Sequence, residues 1–246
     1  MDKKINISPY LSIFGITLLF LVLSGVTMAL TLLFENETVR SVIDLFQVIL
    51  FIFLTYYLSN LYFRKINLIP PEKLILNSPL IIKVLIGFAL ALIILYPTRI
   101  SKFLDTDNIE YLFVGFTLKN FAMAFGASVT EEIIFRGTLL NFFNQKNKKY
   151  IGLLISSLMF SFIHLSNTIM GQDISSFNII FFVMMGVCLG LTYLNFGLVS
   201  AIALHFLNNF LISGFIHKIG GGYYVLAIIS ILSIWLFIRD RRKQRK

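Results

Sequence analysis

Long apolar runs recur along the chain, and they constrain its fold more than any other feature of the sequence. A helix needs about 20 consecutive, mostly apolar residues to cross the hydrocarbon core of a bilayer. Runs near that length occupy most of the 246 residues, of which 57% are hydrophobic and 13% charged. The mean hydropathy of +0.85 is unlike that of a soluble globule. We therefore predict an all-α, polytopic membrane helix bundle.

About eight transmembrane spans are predicted, and no soluble domain fits between them. Residues 1–246 should thus form a single integral membrane domain. The first span is longer than the apolar core of a signal peptide, so we expect it to be retained. Cys188 is the one cysteine and lies in an apolar span, which excludes disulfides. The predicted spans are residues 9–34, 41–63, 79–97, from about 111 into the segment around Glu131, 150–165, 177–194, 198–216 and 223–238.

The charges indicate the orientation of these spans. Cationic clusters occur at both ends of the chain and alternate with acidic or mixed connections along it. An even number of spans puts both termini and the cationic clusters on the cytoplasmic side of a cell membrane, with Arg99 and Lys102 as exceptions. The net charge of +9 is then explained by topology and by contact with anionic lipids, and no nucleic-acid partner is expected.

Three ionisable residues, Glu131, Glu132 and Arg136, interrupt one of the apolar runs. A charge at bilayer depth costs roughly 2.5–3.5 kcal/mol on insertion scales, so it persists where it is paired or used. Glu132 and Arg136 are four residues apart and are predicted to form an intrahelical ion pair. Glu131 lies about 100° around the helix and remains available for chemistry. The alternative is a salt bridge that only locks the helix.

Two further pairs share helical faces in later spans: Phe160 with His164, and His205 with Asn209. Taken alone, each pair is explained by a buried histidine or by a polar contact between membrane helices. At 1.5 Å per residue, Glu131, His164 and His205 lie at comparable depths of ~13–21 Å from the cytoplasmic ends of their spans. Their agreement in depth favours one shared site.

A buried carboxylate beside imidazoles and a carboxamide suits hydrolysis. Glutamate can accept a proton from water, histidine can orient that water, and a His–Asn pair can donate hydrogen bonds to an oxyanion. The same groups could hold Zn²⁺. The sequence has no His-Glu-x-x-His zinc helix, no Gly-x-Ser-Gly nucleophile, no aspartate pair within the spans and no Walker loop. Other intramembrane protease chemistries and ATP-driven transport therefore fit poorly.

Together the three motifs resemble the signature of the CPBP family, the CAAX-protease and bacteriocin-processing intramembrane proteases, also called the Abi family. The motifs are Glu131-Glu132-x-x-x-Arg136, Phe160-x-x-x-His164 and His205-x-x-x-Asn209. The resemblance covers residues 119–215, which become the predicted catalytic core. It implies an intramembrane endopeptidase whose membrane helices, about eight in number, surround a polar catalytic cavity.

The resemblance also implies roles for individual residues. They are water activation by Glu131 and His164, oxyanion stabilisation by His205 and Asn209, and support by Glu132, Arg136 and Phe160. Whether a metal takes part stays open. A water activated without metal is the favoured interpretation, and Zn²⁺ held by Glu131, His164 and His205 is the alternative.

In this family the eukaryotic branch trims the C-termini of prenylated proteins, and bacterial relatives are tied to bacteriocin or pheromone maturation and self-immunity. The compact chain resembles the bacterial branch, so the expected substrate is a membrane-associated peptide or protein. One alternative is a non-proteolytic immunity or scaffold protein, in which Gly186-x-x-x-Gly190 permits close helix packing. Another is a transporter with a proton relay, although no inverted repeat is evident.

Overall fold

A computed structural model of the chain describes residues 8–32, 34, 37–71, 82–87, 118–169 and 176–213. All regular elements in these ranges are helical and none is a strand, which confirms the predicted all-α class for this part of the chain. A short helical segment also occupies residues 82–87. The helices are α1 (Ser8–Leu32), α2 (Glu37–Lys65), α3 (Leu118–Glu132), a π-helix (Ile133–Leu140), α4 (Asn141–Gln145), α5 (Lys149–Ile169), α6 (Ser176–Phe196) and α7 (Leu198–Ser213).

These helices coincide with most of the predicted spans, whereas the span at 223–238 and most of the one at 79–97 lie outside the described residues. Among the described helices, one segment, Ser41–Lys65, is long and apolar enough to cross a membrane, with a mean hydropathy of 1.9. Only 6% of its apolar window is buried. The bundle of about eight spans stays a prediction.

The helices pack around α3 and the π-helix that continues it. α3 contacts α2 and α7, while α5 packs along α6 and also contacts the π-helix. The α5–α6 contact depends on Gly186, where an added Cβ atom would lie 2.9 Å from the Cα atom of Ser157. Small residues let helix backbones approach this closely. This close packing brings the backbone of α6 within hydrogen-bonding distance of Arg136 on the π-helix.

The π-helix at Ile133–Leu140 departs from the regular α-helical geometry assumed from the sequence, and all eight of its residues are buried. Its wider turn is supported by Thr138, whose hydroxyl lies 2.8 Å from the carbonyl oxygen of Ile133, five residues earlier. The same hydroxyl is 2.7 Å from the hydroxyl of Ser59 on α2. π-Helical turns are uncommon in proteins, and those that do occur are often found at functional sites. Here the turn begins directly after the two glutamates.

A clamp at the end of α4 holds the connection that follows α2. The N–H of Ile69 donates to Oε1 of Gln145 at 2.8 Å, and the Ile69 carbonyl accepts from Nε2 of Gln145 at 3.0 Å. The same carbonyl accepts from Nδ2 of Asn141 at 3.1 Å. Two residues on, Pro71 lies against Gly137, where an added Cβ atom would be 3.3 Å from the Pro71 Cβ atom. The clamp thereby seats this connection on the π-helix.

Candidate active site

The structure brings the acidic motif and both histidine motifs into one cluster between α3, α5 and α7. Oε2 of Glu131 lies 4.0 Å from Nε2 of His164 and 3.9 Å from Nε2 of His205. The Glu131 and His164 side chains are 19% and 17% exposed, whereas His205 is almost fully buried at 2%. Of these three side chains, Glu131 and His164 are therefore the more accessible.

Glu132 has different partners. Its Oε1 atom accepts a hydrogen bond from Nη1 of Arg136 at 2.8 Å, which confirms the ion pair expected from their spacing. The same oxygen lies 2.9 Å from Nδ1 of His205. All three side chains are buried. The two glutamates point to different faces of the helix, yet they share one neighbour. Nδ1 of His205 faces Glu132, and Nε2 of the same ring faces Glu131.

Arg136 connects this cluster to α6. Its Nη2 atom donates to the carbonyl oxygen of Gly186 at 2.9 Å, and its guanidinium carbon lies 4.7 Å from the centre of the Phe160 ring. A cation over an aromatic face is attracted by the ring quadrupole, more strongly where both are desolvated. Within the described residues, Nε of Arg136 and Oε2 of Glu132 have no hydrogen-bond partner. Each member of the pair therefore depends on the other for compensation of its charge.

Hydrogen bonds define the tautomers of both histidines. Nδ1 of His164 lies 2.9 Å from the carbonyl oxygen of Phe160, which can only accept, so Nδ1 carries the proton. Nδ1 of His205 faces the carboxylate of Glu132 and donates to it in the same way. In their neutral forms both imidazoles therefore present an unprotonated Nε2. Those two nitrogens converge on Oε2 of Glu131, which has no hydrogen-bond partner within the described residues.

Phe160 lies at the centre of the cluster. Besides covering Arg136, its ring centre is 4.6 Å from that of His164 and 5.6 Å from that of His205. The ring is buried and contacts the guanidinium and both imidazoles. Its backbone carbonyl fixes the His164 tautomer. These contacts are consistent with the supporting role predicted for Phe160.

Residues 113–211 match the sequence model of the family described as type II CAAX prenyl endopeptidase Rce1-like, which belongs to the CPBP proteases. The matched stretch of the chain is similar to the core of that family. This family is a membrane-embedded protease family. No curated protein and no solved structure matches the chain. The matched segment contains all three motifs described in the sequence.

Asn209, the fourth predicted catalytic residue, lies one turn beyond His205 on α7. Its Nδ2 atom is 3.4 Å from the hydroxyl of Ser128 on α3, and that hydroxyl donates to the carbonyl of Ala124 at 2.7 Å. A carboxamide has two N–H groups, so the contact with Ser128 uses one and leaves the second for another acceptor. Asn209 therefore flanks the cluster on the α7 side.

Three residues that contribute to the cluster were not predicted from the sequence. The Phe182 ring of α6 stacks on His164 with centroids 4.3 Å apart, Gly186 supplies the carbonyl for Arg136, and Ser128 contacts Asn209. Ser128 could have been found, because it lies four residues before Glu132 on the same helix. Phe182 is one of 26 phenylalanines and carries no distinguishing signal.

The three candidate metal ligands have suitable donor types, since His and carboxylate groups bind Zn²⁺. Two ligand atoms about 2.1 Å from one zinc ion in a tetrahedral arrangement lie about 3.4 Å apart. The separations from Oε2 of Glu131 to the two Nε2 atoms are wider, at 4.0 and 3.9 Å. Throughout the part of the chain that the structure describes, no group of three or more His, Cys, Asp and Glu side chains has the arrangement of a metal site. As they stand, Glu131 is therefore farther from both histidines than two ligands of one zinc ion are from each other.

Proposed function

We propose that the chain is an intramembrane endopeptidase that hydrolyses a peptide bond of a membrane-associated peptide or protein. The observation that supports this most is the convergence of Nε2 of His164 and Nε2 of His205 on one carboxylate oxygen, Oε2 of Glu131. All three groups come from the segment that matches a protease family. The arrangement gathers groups that accept and donate protons in a largely apolar setting, which suits activation of water.

Glu131 and His164 would hold the attacking water. Atoms separated by 4.0 Å are too far apart for a direct hydrogen bond, and one water about 2.8 Å from each fits between them. The water donates one O–H to Oε2 of Glu131 and the other to Nε2 of His164. As its oxygen attacks the scissile carbonyl carbon, the proton passes to Glu131.

His205 and Asn209 would stabilise the oxyanion that forms in this attack. Nδ1–H of His205 is already donated to Glu132, so His205 can donate from Nε2 only in its imidazolium form. In that form it offers one N–H to Glu132 and the other to the oxyanion, next to an N–H of Asn209. When the C–N bond breaks, the same Nε2–H can pass to the leaving amine. Transfer of the water proton from Glu131 to Nε2 of His205, directly or through a water, then restores both groups.

The substrate would be a peptide or protein held at the membrane. Large apolar side chains of α2, including Phe46, Ile49 and Phe53, are exposed and suit a lipid environment. The matching family is described as a prenyl endopeptidase family, so a lipidated C-terminal segment is one member of this substrate class. A bacteriocin-type or pheromone-type precursor is the other.

The non-proteolytic alternative has lost its support from the glycine spacing in α6. An added Cβ atom on Gly186 would meet the Ser157 backbone, and one on Gly190 would lie 2.4 Å from Cδ1 of Leu153. Both glycines therefore face α5 within the chain, and their spacing serves internal packing. An immunity phenotype that survives Glu131→Ala would still favour this alternative.

Comparative peptidomics of membranes from cells carrying the wild type or Glu131→Ala tests the proposal. The uncleaved peptide should accumulate in the variant, and its shortened product should appear only with the wild type. The pair of peptides also identifies the substrate and the cleaved bond. Identical peptide populations in the two strains, at equal protein levels, would refute the endopeptidase activity.

We propose that the attacking water is activated without a metal, so chelators should leave the reaction unaffected. The purified protein in lipid nanodiscs is treated with EDTA or 1,10-phenanthroline, dialysed, and assayed with a synthetic copy of the peptide found by peptidomics. The expected result is an unchanged rate and no stoichiometric zinc by elemental analysis. A rate that falls with chelation and returns with Zn²⁺ would overturn the metal-free mechanism.

A further inference from the structure

Phe182 of α6 lies directly against the imidazole of His164. The two ring centres are 4.3 Å apart and the planes are inclined by 27°, which is a stacked arrangement. Phe160 contacts the same imidazole, with centroids 4.6 Å apart and an inclination of 40°. The His164 ring is thus held by two phenylalanine rings, one from its own helix and one from α6.

His164 needs such support because its hydrogen bond fixes only one atom. The bond from Nδ1 to the Phe160 carbonyl sets the tautomer, while the terminal torsion of a histidine side chain has a broad energy minimum. Rotation about this torsion moves Nε2 away from Glu131. A ring stacked on the imidazole face opposes that rotation, since the two faces would have to separate.

The same face of α6 supports the other half of the cluster. Phe182 and Gly186 are four residues apart, so they lie on one side of the helix. Gly186 accepts the hydrogen bond from Arg136, which in turn pairs with Glu132. One stripe of α6 therefore contacts both the residue proposed to hold the water and the ion pair that orients His205.

We propose that Phe182 is a positioning residue that holds the His164 imidazole with Nε2 directed at Glu131. This inference rests on the proposed function for its catalytic meaning, whereas the effect on the imidazole itself is independent of any substrate. Phe182 has no group that takes part in proton transfer. It acts through His164.

The test uses full-length protein in lipid nanodiscs with ¹⁵N-labelled histidine rings. The chain has three histidines, so the nitrogen resonances are few, and His164→Gln assigns those of His164. Wild type and Phe182→Tyr, which retains the ring, should show the Nδ1–H tautomer alone at His164. Phe182→Leu and Phe182→Met should show a mixture of both tautomers, because rotation of the freed imidazole also breaks the bond from Nδ1 to the Phe160 carbonyl. Two aliphatic variants guard against the failure of one to fold.

Phe162→Leu is the matched control, because Phe162 lies two residues from His164 on α5 but its side chain is 63% exposed. Its His164 resonances should equal those of the wild type. The His205 resonances should stay unchanged in the three Phe182 variants and in Phe162→Leu. This would show that these variants retain the fold. A single, wild-type tautomer of His164 in both aliphatic variants would overturn the inference.

Cleavage assays separate this inference from the proposed function. With the peptide found by peptidomics, Phe182→Leu should lower kcat by up to about 100-fold with little change in KM, because a small misplacement of a catalytic group has that scale of effect. Phe182→Tyr should recover the rate. If Glu131→Ala still cleaves, the proposed function fails, and the tautomer spectra still decide whether Phe182 positions His164.

Discussion

Glu131→Gln is expected to lower the rate of peptide cleavage by about 100- to 10,000-fold, the range that a general base contributes. The carboxamide keeps the size of the side chain and can still lie near His164 and His205, but it cannot take a proton from water. The loss should appear in kcat, because the group acts on the proton that moves as water attacks. The measurement is cleavage of the synthetic peptide by purified protein in nanodiscs.

Asp44→Asn provides the control for this prediction, because it also replaces a carboxylate by a carboxamide but on α2, outside the cluster. It should retain the wild-type rate. Thermal unfolding of Glu131→Gln should match the wild type, because Oε2 of Glu131 makes no direct hydrogen bond within the described residues. Cleavage by Glu131→Gln at the wild-type rate would contradict the proposed role of Glu131. Water activation would then have to be assigned to the histidines.

Helical periodicity was enough to predict the ion pair between Glu132 and Arg136, because partners four residues apart share a face whatever surrounds them. It also placed Glu131 on a different face. It could not show that His205 reaches both carboxylates, because the contact joins α3 to α7 and depends on how those helices pack. The orientation of each imidazole likewise depends on a hydrogen-bond partner that the sequence does not specify.

The π-helix and the contribution of α6 were beyond prediction for a similar reason. The π-helical turn is supported by a contact between Thr138 and Ser59, which are 79 residues apart in the chain. Phe182 contacts His164 only because Gly186 lets α6 approach α5. An apolar helix with aromatic residues on several sides gives no sign of which ring will meet an imidazole. Packing decides it.

Arg136→Met is expected to cause the largest loss of stability. The side chain is fully buried and its removal leaves the Glu132 carboxylate without its cationic partner. Breaking a buried ion pair by deleting one member costs about 3–5 kcal/mol, because the remaining charge is desolvated and uncompensated. Methionine fills much of the space, so the cost comes mainly from charge. Denaturant unfolding of the protein in mixed micelles measures it against the wild type.

The double variant Glu132→Gln with Arg136→Met separates charge from hydrogen bonding. No buried charge is then left unpaired, and Oε1 of the glutamine can still accept from Nδ1 of His205. Stability should therefore return most of the way to the wild-type value, since a buried ion pair replaced by neutral groups is often close to neutral in free energy. Recovery of stability without recovery of cleavage is the expected result, because the proposed oxyanion step needs the imidazolium of His205 opposite a carboxylate. If the double variant regains both, the pair serves only to hold the helices together, and the catalytic part of the cluster shrinks to Glu131, His164 and the outer edge of His205.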